Sequence, residues 1–232
     1  NIGTSVLCSQ YLGARMHKNM VQVVGVSLIL NLVFGLFVSA ILHYGATSLL
    51  SMMGLRPELM EYGVSYMKIV GVFAFFQAIS LTISASLRSA NKAVYPMMVT
   101  VVVNILNIIG NYSLIFGKFG MPALGVEGAA ISTAFARGVS MVILFVILFR
   151  KHIPRFPLSY FCPFPFVELK NLLKIGVPSA GENMSYSFSQ VVLTYFINML
   201  GNEALATRTY VVNIVMFVYL FAIAMAQGGA IC

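Results

Sequence analysis

Residues 93–116 read AVYPMMVTVVVNILNIIGNYSLIF, a run without a single charged side chain. A helix needs about 20 mostly apolar residues to cross a bilayer, so this run is long enough to be a membrane span. Stretches of similar character lie at 20–43, 60–87, 125–149, 171–200 and 204–230, and a shorter one opens the chain. Composition agrees: 59% of residues are apolar and 9% charged, against roughly half and a quarter in soluble domains. The chain therefore reads as all-α, a polytopic transmembrane helical bundle surrounded by lipid.

The net charge of +8 would suggest nucleic acid in a soluble protein, but here the bases sit in the gaps between spans. Arg15 and Lys18 follow the first fragment, Arg88 and Lys92 precede the 93–116 span, and Arg150, Lys151, Arg155, Lys170 and Lys174 flank the longest connection. The alternate gaps carry only Arg56 and Lys118, accompanied by Glu58, Glu61 and Glu127. Positive loops stay in the cytoplasm. Loops 14–19, 88–95 and 150–170 are thus expected inside, and 44–58, 117–126 and 200–204 outside. No nucleic-acid partner is expected.

The chain opens at Asn1 without a Met and stops at Cys232 inside an apolar run, which reads as a piece of a longer protein. Cys8, Cys162 and Cys232 are widely spaced and form no CxxC pair. They read as small packing residues rather than metal or redox ligands.

Between Arg150 and Phe166 stand Pro154, Pro157, Pro163 and Pro165. So dense a set of prolines cannot stay helical. The segment reads as a linker at 150–166 between an amino-terminal lobe (1–149) and the start of a carboxy-terminal one (167–232); the alternative is a long loop within one bundle. Gly117, Gly120 and Pro122 end the 93–116 helix and build the next turn.

Thr100, Asn104, Asn107 and Asn111 recur at spacings of four, three and four, so they share one helix face. With Ser132 and Thr133 on the following helix they suggest a polar pocket inside a bundle. Amide oxygens suit a cation that must be held and released; a purely structural hydrogen-bond ladder is the alternative. From Gly176 to Gln190 the chain is half hydrophilic, with Ser179, Glu182, Asn183, Tyr186 and Gln190 among others, and Gly176, Pro178 and Gly181 are expected to interrupt the helix. Broken spans of this kind mark binding sites in transporters. Glu182 is the acid placed well inside a span, and such residues usually face a wet cavity. Its alternative is a structural ion pair, with Arg137 or Arg208 as partner.

Other chemistries are excluded by spacing. Gly110 to Lys118 places six residues between its glycines and Phe after the Lys, where a nucleotide loop needs four and a Ser or Thr. His17, His43 and His152 form no HExxH pattern and no helical pair. No enzyme active site or cofactor is expected.

Several segments resemble the multidrug and toxic compound extrusion (MATE) family of secondary transporters. Gly3 to Arg15 (GTSVLCSQYLGAR) is similar to the end of that family's second helix, and Leu87 to Pro96 (LRSANKAVYP) to the turn after its fourth. Asn107 to Thr133 (NIIGNYSLIFGKFGMPALGVEGAAIST) resembles the run from fifth to sixth, and Lys174 to Glu182 (KIGVPSAGE) the start of the seventh. The resemblance implies a twelve-helix, two-lobe antiporter of the plasma membrane, of which this chain holds the end of helix 2 through helix 8. It implies export of amphipathic, often cationic small molecules in exchange for sodium ions or protons, by a monomer that needs the missing helices of its own chain. By the same resemblance Glu182, Asn107 and Asn111 take part in cation coupling, with Asn111 standing where some relatives have Asp, and Thr133 of the polar pocket read above is counted with them. Asn183, Tyr186 and Gln190 would line the substrate cavity. The rival readings are a lipid-linked oligosaccharide flippase of the same superfamily, whose cavity should carry more bases, and, from hydropathy alone, a receptor or channel.

Overall fold

A computed structural model describes residues 2–52, 57–153, 164–199 and 202–229, and among them every regular element is a helix. In chain order these are α1 (Ile2–Gly13), α2 (His17–Tyr44), α3 (Ala46–Met52), α4 (Pro57–Val72), α5 (Ala74–Ser89), α6 (Val94–Phe116), α7 (Gly125–Ile147), α8 (Phe166–Met199) and α9 (Asn202–Gly229). A single π turn, Leu148–His152, extends α7. The prolines at 154, 157 and 163, together with Cys162 and Cys232, lie outside the described residues.

Three of these helices, α2, α6 and α7 with its extension, are long and apolar enough to cross a membrane. The pair α4 and α5, bent by 47° at Phe73, is long and apolar enough only when taken together, as one broken span or a re-entrant loop. The uninterrupted 60–87 helix expected from hydropathy is therefore two helices. Its break falls two residues after Gly71, whose bare Cα lies where an added Cβ would be 2.7 Å from Leu42 Cβ, and α5 restarts with Phe76 N–H donating to Phe73 O at 3.1 Å. The gap expected at 44–58 also holds structure, the short helix α3.

The chain divides into two compact units, Gly3–Leu172 and Leu173–Cys232. In the first, α6 packs on α7, α2 on α5 and α4, and both halves of the bent span on α7. Lipid is as apolar as Leu, so helices there gain little from burying grease against each other. Close approach by small residues and interhelical hydrogen bonds carries the association instead. The first unit follows that rule. A Cβ at Gly35 would stand 3.0 Å from Phe75 Cα, so α2 and α5 meet backbone to backbone. Thr4 donates to Ser27 at 2.9 Å, and the hydroxyls of Ser5 and Ser89 share a bond of the same length. Val23, Val24, Ile83 and Leu87 fill the space between them. Outward, α6 exposes Val101, Ile105 and Ile108, a surface suited to lipid or to further helices.

The second unit holds α9 and the remainder of α8. Helix α8 runs unbroken through Pro178, contrary to the interruption expected at Gly176, Pro178 and Gly181. Proline removes one i→i−4 bond, here to the carbonyl of Lys174, and a helix carrying many other such bonds tolerates the loss.

Candidate functional site

The turn between α6 and α7 sets the register of the site. Gly117 takes the left-handed conformation (φ +66°) that ends α6, with its N–H on Ser113 O. Leu124 N–H then closes back on Leu114 O at 2.9 Å. Two glycines let the paired helices touch. A Cβ at Gly128 would be 2.5 Å from Leu114 O, and one at Gly110 would collide with Ser132 Oγ. Asn107 of α6 is thereby brought against Ser132 and Thr133 of α7.

At this contact the amides form a chain. Asn111 Nδ2 donates to Asn107 Oδ1 at 3.0 Å, Asn107 Nδ2 to Thr133 Oγ1 at 3.4 Å, and Thr133 Oγ1 to Ala129 O at 2.8 Å. Ser132 Oγ donates to the Asn107 carbonyl at 3.3 Å. The two bonds between helices are long by ordinary standards, while the two within helices are short. At the end of the chain the Asn111 Oδ1 oxygen is buried and accepts no hydrogen bond. An unmet buried acceptor costs about 1–3 kcal/mol. Asn107, Asn111 and Thr133 are thus brought together as expected, next to Ser132. Thr100 and Asn104, on the same face, are exposed, and Thr100 turns its hydroxyl to its own helix at Pro96 O.

The cluster contains only neutral oxygen and nitrogen donors. Carbonyl and hydroxyl oxygens are hard ligands that replace water around a small cation. Among the described residues no group of three or more His, Cys, Asp or Glu could hold a metal ion. A separate cleft of about 560 Å³ lies at the bend between α4 and α5 on one side and α7 on the other, lined by Ile69, Phe73, Phe76, Phe135, Gly138 and Val142. Its walls are apolar, so it offers an ion nothing.

In the second unit Glu182, Asn183 and Tyr186 are exposed on α8, and Asn183 bonds only its own helix, at Ser179 O. Gln190 is partly buried because Arg208 of α9 donates to its Oε1 at 2.8 Å, and Arg208 also bonds Thr194. Arg208 is therefore the partner of Gln190 and Thr194, not of Glu182. Glu182 and Gln190 are eight positions apart, about 12 Å along a helix. The sequence reading had not singled out Glu168, which is 4% exposed and accepts from Tyr11 OH at 2.7 Å and Asn19 Nδ2 at 2.8 Å. It stands amid Lys170 and Lys174 in a basic gap. An acid two residues into a helix is a common dipole partner, and nothing in the pattern marks it as buried.

These features define an integral membrane protein built of packed helices, with a polar cluster held between two spans. A profile of the MatE family matches residues 1–113 and 178–232. An uncharacterized transporter of Bacillus subtilis, YisQ, is 42% identical across 99% of this chain and 50% of its own length. A probable multidrug resistance protein, NorM of Thermotoga maritima, is 29% identical across 97% of this chain and 49% of its own. A crystal structure of MATE in the bent conformation superposes with a TM-score of 0.87 at 26% identity, over 97% of this chain and 50% of that one. The chain belongs to the MatE family of membrane transporters, and it spans about half the length of the curated relatives it matches.

Proposed function

We propose that the full-length protein is a secondary active exporter of amphipathic, often cationic small molecules, driven by inward movement of sodium ions or protons. The observation that carries this reading is the buried Asn111 Oδ1 without a hydrogen-bond donor, on a side chain whose amide nitrogen is bonded to Asn107, itself bonded to Thr133. Neutral oxygen ligands bind a monovalent cation weakly enough to release it, which a coupling site must do. The cluster carries no base that could hold a pyrophosphate, which favours an exporter over a lipid-linked oligosaccharide flippase. Names borne by relatives, such as multidrug resistance protein and multidrug export protein, support the same substrate class.

Glu182 is the second coupling residue on this reading, taking up a proton or cation within a span where a bare charge costs about 2.5–3.5 kcal/mol. Asn183, Tyr186 and Gln190 on the same helix line the substrate path, and the basic loops face the cytoplasm of a monomer in the plasma membrane. The test is efflux of a cationic dye from vesicles carrying the full-length protein, with sodium and proton gradients imposed separately. Export under either gradient supports the proposal. No export under both overturns it.

A further inference from the structure

Arg137 stands at the middle of α7, in the 26-residue membrane-length stretch Gly125–Arg150. It is half-buried and makes no hydrogen bond or ion pair among the described residues. A charge at that depth is retained where it meets an opposite charge or a wet cavity. The rotation of α7 is fixed on both sides of it. Ser132 Oγ bonds the Asn107 carbonyl of α6 at 3.3 Å, and a Cβ at Gly138 would be 3.3 Å from Phe76 Cε2 of α5. Phe135 and Val142, both exposed, lie on the other side of the helix from Arg137. Thr133 and Ser140, four residues before and three after, share its face. Arg137 is thus one turn from the Thr133 hydroxyl that Asn107 holds. The contacts of Gly128 with Leu114 and of Gly110 with Ser132 run α6 and α7 in opposite directions, which puts Arg137 about level with Asn104.

The chain has six acids, and those of the first unit are out of reach or engaged. Glu61 lines a small pocket together with Glu127, and Glu127 is ten positions from Arg137, about 15 Å along the helix. Glu58 lies three positions before Glu61. Glu168 has a donor on each carboxylate oxygen. The other charges of α4 and α5 are bases, Lys68 and Arg88, and α6 carries no charge. The amide cluster one turn away is neutral as well. A cation bound at Asn111 Oδ1 would face the guanidinium with nothing to offset it. Both positive charges need a carboxylate, and a guanidinium fork matches a carboxylate with two parallel bonds.

We propose that Arg137 is a built-in competitor of the coupling cation: both take the same carboxylate, supplied by a membrane-spanning segment of the protein outside this chain. About half the length of the curated relatives lies outside the stretch that this chain matches, and the acid comes from there. With the site empty, Arg137 holds the carboxylate. A cation must displace it to bind, which keeps ion affinity low enough for release. This deepens the exporter reading and rests on it, since competition matters only where an ion is taken up and let go.

The experiment uses the full-length protein in detergent, where ion binding is read from the rise in melting temperature with sodium and with falling pH. Arg137→Gln should raise the apparent ion affinity about tenfold, seen as a lower half-saturating sodium concentration or as a pH midpoint about one unit higher. Arg137→Lys, which keeps the charge but not the fork, should raise it less. Each acid in the membrane-spanning segments outside this chain is then neutralised in turn, and Glu182 likewise. One position outside this chain should abolish the ion-dependent rise and cancel the gain of Arg137→Gln. Arg137→Glu should lower the monodisperse fraction, and Arg at that same position should restore it. Unchanged or weaker ion affinity in a folded Arg137→Gln protein, a scan in which no acid or only Glu182 behaves this way, or melting without any ion dependence would overturn the proposal. Should Arg137→Gln not fold, failure of every charge swap to restore Arg137→Glu overturns it equally. Dye export from vesicles is measured separately, and its absence beside intact ion shifts sinks the exporter reading while the competition stands.

Discussion

Gly128→Ala should separate α7 from α6 and silence the amide cluster. The added Cβ would lie 2.5 Å from Leu114 O, 2.7 Å from Leu114 C and 2.9 Å from Leu114 Cβ. Ordinary contact begins near 3.4 Å, so the helices must part by about 0.9 Å. Leu114 cannot yield alone, since its carbonyl sits in helical backbone and accepts Leu124 N–H at 2.9 Å. Overpacking of this kind costs about 1–3 kcal/mol. Losing the turn bond adds about 0.5–1.5 kcal/mol. The two bonds between helices, 3.4 Å from Asn107 to Thr133 and 3.3 Å from Ser132 to Asn107, are already long, and a shift of that size breaks both. The variant should therefore unfold several degrees below wild type when the detergent-solubilised protein is heated and its monodisperse fraction measured. It should also lose sodium or proton dependence of dye export at temperatures where it remains folded. Gly13→Ala, where a Cβ meets nothing within 4 Å, should melt like wild type. A Gly128→Ala protein with unchanged melting and unchanged ion dependence would refute the argument that this contact positions the cluster.

Asn111→Ala removes the unmet oxygen and should weaken the apparent affinity for the coupling ion by tenfold or more, about 1.4 kcal/mol, while expression stays near normal; equal losses of expression and transport would show a structural ladder instead. Glu182→Gln keeps shape and hydrogen bonding but not titration, so gradient-driven export should fail although the protein inserts. Normal rates with the same ion dependence would make Glu182 structural. Cysteine probes in intact cells should be labelled from outside at position 118 and not at position 92, and the reverse pattern would invert the topology drawn from the loop charges.

Much of the architecture is local enough to be read from the chain. The start and end of α6 follow from an uncharged run closed by Gly117, and the common face of Asn107 and Asn111 follows from helical periodicity alone. Their meeting with Ser132 and Thr133 was also legible, because a short turn forces α7 to run back along α6. The bend at Phe73 was not; it lies next to the close approach of Leu42 from α2 to Gly71, a contact between residues distant in sequence. Pro178 misled in the opposite sense. Its missing N–H is a local fact, but whether a helix breaks depends on the many bonds on either side.

Sequence by itself determined that the protein lives in a membrane and where most of its helices lie, because hydropathy and periodicity are properties of consecutive residues; of the six expected spans, α8 and α9 are not among the described helices long and apolar enough to cross. Only the tertiary structure decided which polar atoms are satisfied. Asn111 Oδ1 is left without a donor because its own amide nitrogen is turned to Asn107, and Glu168 is buried because Tyr11 and Asn19 converge on it from two other helices. Hydrogen-bond partners across helices depend on rotation and distance that no single segment encodes.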